Sequence, residues 1–177
     1  LVIANRYAEA LFQIGEEENK TDNLYNELKE VSSLITTNND LNNVMKSPLV
    51  SKNEKIQLID TLFAGKIDND LKNFFKILVE KGRITSVEAI EATYKELLNE
   101  KNNILEGYVI SAVPMDNEKI KELETELSKK YNKNVTLENK VDKSVLGGVL
   151  VRLGNTEIDG TIKTRLDGLK NQLSQVI

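Results

Sequence analysis

Neither cysteine nor histidine occurs in the 177 residues, and this pair of absences removes whole classes of chemistry. Without thiols there are no disulfides and no thiolate nucleophile. Without imidazole the usual general base near neutral pH is missing, so zinc sites and Ser-His triads cannot be built. Excess positive charge is also lacking: 24 Lys and Arg stand against 28 Asp and Glu, and the net charge of -4 gives no long-range attraction to nucleic acid or anionic lipid. Apolar runs are only a few residues long, well short of the roughly 20 needed to span a bilayer, and no signal-peptide pattern opens the chain. We therefore expect no nucleic-acid partner, no direct membrane insertion and retention in the compartment of synthesis. The opening at Leu1 rather than Met leads us to expect a few further native residues before it.

What is present is enough to bury a core: 40% of residues are hydrophobic and 29% charged, fitting one domain or two small ones. Up to about Asn103 the apolar period is helical. Ile3, Tyr7, Leu11 and Ile14 mark a first helix, and Leu24, Leu28, Val31 and Ile35 a second after Asp22. A short stretch from Leu41 to Lys46 is stopped by Pro48, which pushes its predecessor out of the helical region. Ser51 and Glu54 form a capping box before Ile56, Ile59, Leu62 and Phe63, and Gly65 ends that helix. Asp68 can cap the next, which carries Leu71, Phe74, Phe75, Leu78 and Val79 and stops at Gly82. Thr85 and Glu88 suggest another capping box, before Val87, Ile90, Tyr94, Leu97 and Leu98. Short connections favour a bundle of five or six helices.

Beyond Asn103 the period changes to two. Tyr108 to Val113 alternates like a strand, Pro114 breaks it, and Asp116 opens a helix with Ile120, Leu123, Leu127 and Tyr131 on one stripe. Val135 to Val141 and Gly148 to Leu153 read as strands, and Gly154-Asn155 as a two-residue hairpin turn leading into Thr156 to Asp159. Thr161 is placed to cap a last helix bearing Ile162, Leu166, Leu169 and Leu173. The expected fold class is α+β: an N-terminal five- or six-helix bundle over 1–103, followed by a small mixed α/β domain over 104–177.

Candidate catalytic features are sparse. Gly147-Gly148 lacks a following Gly-Lys-Ser/Thr and opens a strand, which favours a bulge or close backbone approach over a phosphate cradle. Asp142 and Asp159 bracket the hairpin and could pair as acid and base, but turn and cap roles suit them better. Arg83 after Gly82 reads as a capping or surface residue, and the scattered carboxylates show no calcium-loop spacing. No catalytic residue, cofactor or metal ligand is assigned.

Two helices carry more apolar surface than one core requires. Ile3, Ala4, Tyr7, Ala8, Ala10, Leu11, Phe12 and Ile14 fill an arc of roughly 200°, as do the apolar residues between Asp70 and Lys81, against roughly 100° for an ordinary surface helix. Either both helices are central, or a groove between them receives a partner's amphipathic helix.

The segment Arg6-Tyr7-Ala8-Glu9-Ala10-Leu11-Phe12 resembles the opening of ATP synthase delta subunits and of their mitochondrial relative, the oligomycin-sensitivity-conferring protein. Phe74 to Ile84 is similar to that family's middle signature, with Lys81 where an Asn commonly stands. Leu146 to Leu166 resembles its C-terminal glycine pair, strand, hairpin and following Arg-Leu helix, with Thr161 in place of Ser. The resemblance implies a non-catalytic stator subunit serving proton-driven ATP synthesis, held as a peripheral protein at the cytoplasmic face of the bacterial plasma membrane. It further implies that the helical domain sits on the alpha/beta head and binds an N-terminal helix of an alpha subunit. The C-terminal domain is implied to engage the peripheral-stalk b subunits. Mapped by motif, Tyr7, Ala8, Leu11, Phe12, Phe74, Phe75, Leu78 and Val79 would line the groove. An adaptor of another complex would share the groove without the C-terminal signature, and a small enzyme would need a polar pocket with perturbed carboxylates.

Overall fold

The computed structural model describes residues 2–154 and 156–160. The chain divides into two compact units, the first ending at Leu98 and the second beginning at Asn99. The first contains α1 (Val2–Glu17), α2 (Thr21–Thr37), α3 (Asn39–Lys46), α4 (Lys52–Leu62), α5 (Asn69–Glu80) and α6, which starts at Val87 and runs on to Lys101.

Local chemistry sets several of the helix ends. The Asn38 side chain accepts the Leu41 N–H at 3.0 Å and so opens α3. Ser51 and Glu54 make the reciprocal capping box, the Ser51 N–H donating to Glu54 Oε2 at 2.8 Å and the Glu54 N–H to Ser51 Oγ at 3.3 Å. Asp68 accepts the Asp70 N–H at 2.8 Å. Gly82, at φ 67, closes α5 in a Schellman motif: its own N–H reaches the Val79 carbonyl and that of Arg83 the Leu78 carbonyl. At Thr85 the expected capping box gives way to a single 3-10 turn, Ile84–Ser86, which tucks Ile84 and Val87 into the core before α6 begins.

The helical core is built on Leu24 and Leu28 of α2, Ile59 of α4, Leu71, Phe75 and Leu78 of α5, and Ile90 and Tyr94 of α6, all fully buried. Each such side chain contributes about 1.5–3 kcal/mol relative to exposure. Tyr94 is buried with its hydroxyl donating to the Thr21 carbonyl at 3.0 Å, while Phe12 meets its ring edge-on at 5.3 Å and Tyr25 stacks on it at 6.2 Å. Burial, followed by the Asp22 and Glu16 carboxylates, pushes the Tyr94 phenol well above its ordinary pKa.

The second unit is a four-stranded sheet of order β2-β1-β3-β4 with one helix, formed by β1 (Ile104–Ser111), α7 (Asn117–Tyr131), β2 (Asn134–Val141), β3 (Val149–Leu153) and β4 (Thr156–Asp159). β1 and β2 are parallel and joined through α7, as a parallel pair requires, whereas β3 is antiparallel to both β1 and β4. The first strand begins earlier than alternation from Tyr108 indicates and ends at Ser111, whose hydroxyl donates to the Val113 carbonyl and accepts from Asn139 Nδ2. Gly107 permits the close approach of β3, since a Cβ there would stand 2.1 Å from the Arg152 carbonyl oxygen. β3 and β4 pair Leu153 with Thr156, leaving a two-residue connection whose Gly154 has φ 54.

Val109, Leu127, Val135, Leu137, Val151 and Leu153 form the core of this unit. α7 also serves β2 with polar groups: the Val135 N–H donates to Ser128 Oγ at 2.9 Å and the Leu137 N–H to Glu124 Oε1 at 2.8 Å. The last helix expected from Thr161 through Ile162, Leu166, Leu169 and Leu173 lies outside the described residues. Among the described residues no helix is long and apolar enough to cross a membrane.

Candidate functional site

α1 presents two apolar faces that serve different ends. Ala4, Ala8, Leu11 and Gly15 point into the helical core. The other face carries Ile3 at 43% exposure, half-buried Tyr7, exposed Ala10 and Ile14 at 37%, at spacings of four, three and four. On α5 the core face holds Leu71, Phe74, Phe75, Leu78 and Val79, while Ile77 is 44% exposed. Tyr7 meets Phe74 edge-on at 6.2 Å, so the two helices touch along the flank that carries these exposed residues. This flank, with Tyr7 and Phe74 at the α1–α5 contact and Ile3, Ala10, Ile14 and Ile77 exposed beside it, is the candidate trough.

This placement revises the groove expected from sequence. Ala8, Leu11, Phe75 and Leu78 are fully buried, and Phe74 and Val79 nearly so, because α1 and α5 pack on each other and on α2. These six belong to the core of the helical unit, with Phe74 at its edge where it meets Tyr7. Tyr7 stays half-buried at the trough. Phe12, also half-buried, lies on the opposite flank of α1 against Tyr94 and is not part of it. Ile3, Ala10, Ile14 and Ile77 were absent from the expected lining. Their signal was apolar character at the edge of an arc already wide enough for the core.

An ion cluster stands where α1 runs out and α5 begins. Lys20 Nζ reaches Asp68 Oδ2 at 3.0 Å and Asp70 Oδ2 at 2.6 Å and also pairs with Glu18, its side chain only 18% exposed. The Asp68 N–H donates to Glu27 Oε2 at 2.7 Å, which adds α2 to the junction. Hydrogen bonds to Asp70 and then Glu18 raise the Lys20 ammonium above its ordinary pKa against the opposing effect of burial. Burial pushes Asp68 up, but the Asp70 amide and the Lys20 ammonium together hold it below the ordinary carboxylate range. On the far flank of α5, Lys76 pairs with Asp60 of α4 at 2.7 Å, so α4 covers that side and leaves the Ile77 side open.

The remaining sequence candidates take structural roles. Asp142 is exposed and accepts the Ser144 N–H at 2.9 Å, and the Ser144 side chain, followed by this backbone contact, lowers its pKa. Asp159 lies in β4 opposite Leu150. Gly147 and Gly148 both have positive φ, 154° and 79°, as the chain turns into β3. Arg83 is exposed and makes the second Schellman bond through its backbone. A cleft of about 270 Å³ beside α7 is lined by Leu123, Leu127, Val149, Val151 and Ile158 together with Glu126 and Lys130.

Comparison with known proteins yields a consistent set of similarities. The family profile described as "ATP synthase delta (OSCP) subunit" matches residues 3–173. "ATP synthase subunit delta" of Clostridioides difficile (strain 630) is 60% identical over 177 residues, covering 99% of this chain and 98% of that protein. Its namesake in Alkaliphilus metalliredigens (strain QYMF) is 39% identical over 99% of this chain and 98% of its own length. Among solved structures, a chain of the Toxoplasma gondii mitochondrial ATP synthase hexamer superposes with a TM-score of 0.73 at 21% identity, covering 96% of each chain, a likeness of fold. A chain of the Polytomella F-ATP synthase covers 54% of this chain and 84% of its own, with a TM-score of 0.51 at 21% identity.

Proposed function

The chain belongs to the ATP synthase delta (OSCP) family and is thereby a stator component of an F-type ATP synthase; we propose that it is a non-catalytic clamp between the alpha/beta head and the peripheral stalk. In this reading the helical unit receives an amphipathic N-terminal helix of an alpha subunit along the trough, and the sheet unit engages the b subunits. The chain is then peripheral to the bacterial plasma membrane on its cytoplasmic side and contributes no catalytic group. The observation that carries the head-binding half is the apolar stripe of exposed Ile3, Ala10 and Ile14 with half-buried Tyr7, beside the exposed Ile77 of α5. A partner helix read at i, i+3, i+4 and i+7 fits a trough of that kind. Long-lived attachment under torque favours buried apolar anchors over exposed ion pairs, which are worth little and are screened by salt.

Measuring thermal stability and affinity for an alpha-subunit N-terminal peptide together tests this surface. Tyr7→Asp and Ile77→Asp are expected to stay folded and lose about 2 kcal/mol or more of binding, because the new charge is desolvated against apolar partner residues. Leu11→Asp and Phe75→Asp place a charge in the core and are expected to unfold the helical unit. Normal peptide binding by folded Tyr7→Asp and Ile77→Asp proteins would show that the partner docks elsewhere.

A further inference from the structure

Lys20 is no part of the trough, yet it joins the two helices that form it. It lies in the α1–α2 connection, three residues beyond the end of α1, and its ammonium contacts Asp68 and Asp70 at the start of α5, 48 and 50 residues away in sequence. Tyr7 meets Phe74 in mid-helix while the end of α1 meets the start of α5, so the two helices run antiparallel with Lys20 across one end. Asp70, Phe74 and Ile77 follow one another at spacings of four and three along α5, so the residue that Lys20 grips stands in line with the α5 residues of the trough.

The charge balance at this junction depends on one group. Three carboxylates contact Lys20, and the Glu27 carboxylate is one hydrogen bond further on at the Asp68 amide. Like charges at such range repel, and with the ammonium removed this repulsion falls on the first turn of α5 and the end of α1. Tightly packed helices accommodate such a push by shifting against each other rather than by local compression. We infer that Lys20 is a positioning residue for partner binding: its clamp sets the separation of α1 and α5 and with it the width of the trough. The inference rests on the trough being the partner surface.

The test uses the full chain with spin labels at Gln13→Cys and Asn69→Cys, since no native cysteine competes. The inter-label distance is measured together with affinity for the cognate alpha/beta head depleted of this subunit. Lys20→Met is expected to keep its helix content, lengthen or broaden the distance, and weaken head binding by about tenfold or more, the loss that a displaced anchor contact brings. Lys20→Arg should restore both. If Lys20→Met does not fold, Asp70→Asn is read instead, and it should change both quantities in the same direction to a smaller extent. A lowered melting temperature with distance and affinity unchanged would reduce Lys20 to a stabilising residue and overturn the inference. Ile77→Asp separates the two levels. If that variant loses head binding while the Lys20 and Asp70 variants bind as the unmodified chain does, the positioning role alone fails. If it binds normally, the trough reading fails and the positioning role with it.

Discussion

Gly15 sits inside α1, where glycine ordinarily costs about 1 kcal/mol against alanine. Here a Cβ would stand 3.0 Å from Tyr94 Oη and 3.2 Å from both Leu24 Cδ1 and Thr21 Cα. Thr21 Cα is backbone, and the Tyr94 ring is fixed by its bond to the Thr21 carbonyl and by Phe12 and Tyr25, so neither neighbour yields cheaply. Overpacking of this kind costs about 1–3 kcal/mol and outweighs the propensity gain. Gly15→Ala is therefore expected to lower the melting temperature by a few degrees, on the scale of about 2–4 °C per kcal/mol for a chain of this size, as calorimetry would show. A raised melting temperature would mean that propensity wins and that the contact at Gly15 has slack.

The first turn of α4 is held by the Ser51–Glu54 box, fully exposed and local, which also lowers the Glu54 pKa through the Ser51 hydroxyl and backbone. Ser51→Ala removes the cap and is expected to cost about 1 kcal/mol, read as a lower unfolding midpoint at constant denaturant slope. Loss of α4 signals alone, with the midpoint unchanged, would show this helix fraying apart from the bundle. The box was legible because it needs only residues three apart. Asp68, Gly82 and Asn38 act over similarly short reach, though Asn38 was not singled out from sequence. At Thr85 the same local pattern failed, because burying Ile84 and Val87 won over a free cap. The apolar arcs of α1 and α5 were equally legible, but periodicity does not say which part of an arc meets the core. That is settled by where α2 and α4 lie, so Leu11 and Phe75 went inward while Ile3 and Ile77 stayed out. Lys20 left no trace in the sequence, since its partners are 48 and 50 residues distant, and Gly107 acquired its meaning only from the Arg152 carbonyl opposite.

For the molecule as a whole, the missing histidines leave a gap in titration. The Asp68 carboxylate is depressed, so the stability it contributes is present above the ordinary carboxylate pKa and is lost as pH falls through the folded value. Lys20 is raised, so its contribution is complete below its ordinary value of 10.5 and is lost only as pH climbs through the folded value. No side chain of ordinary pKa titrates between these arms. The melting temperature is expected to stay level from about pH 6 to 9 and to fall in acid, with Asp68→Asn making the acid limb shallower. A distinct step near neutrality in a pH series of thermal scans would contradict this. The sheet has a different bearing on the life of the whole chain. β2 is an edge strand among the described residues, but two of its outward amides are already engaged by Ser128 and Glu124 of α7. A free edge offers those donors to any passing extended chain, and such pairing seeds aggregates. Two side chains of its own helix thus withhold those donors from stray pairing before any partner subunit is bound.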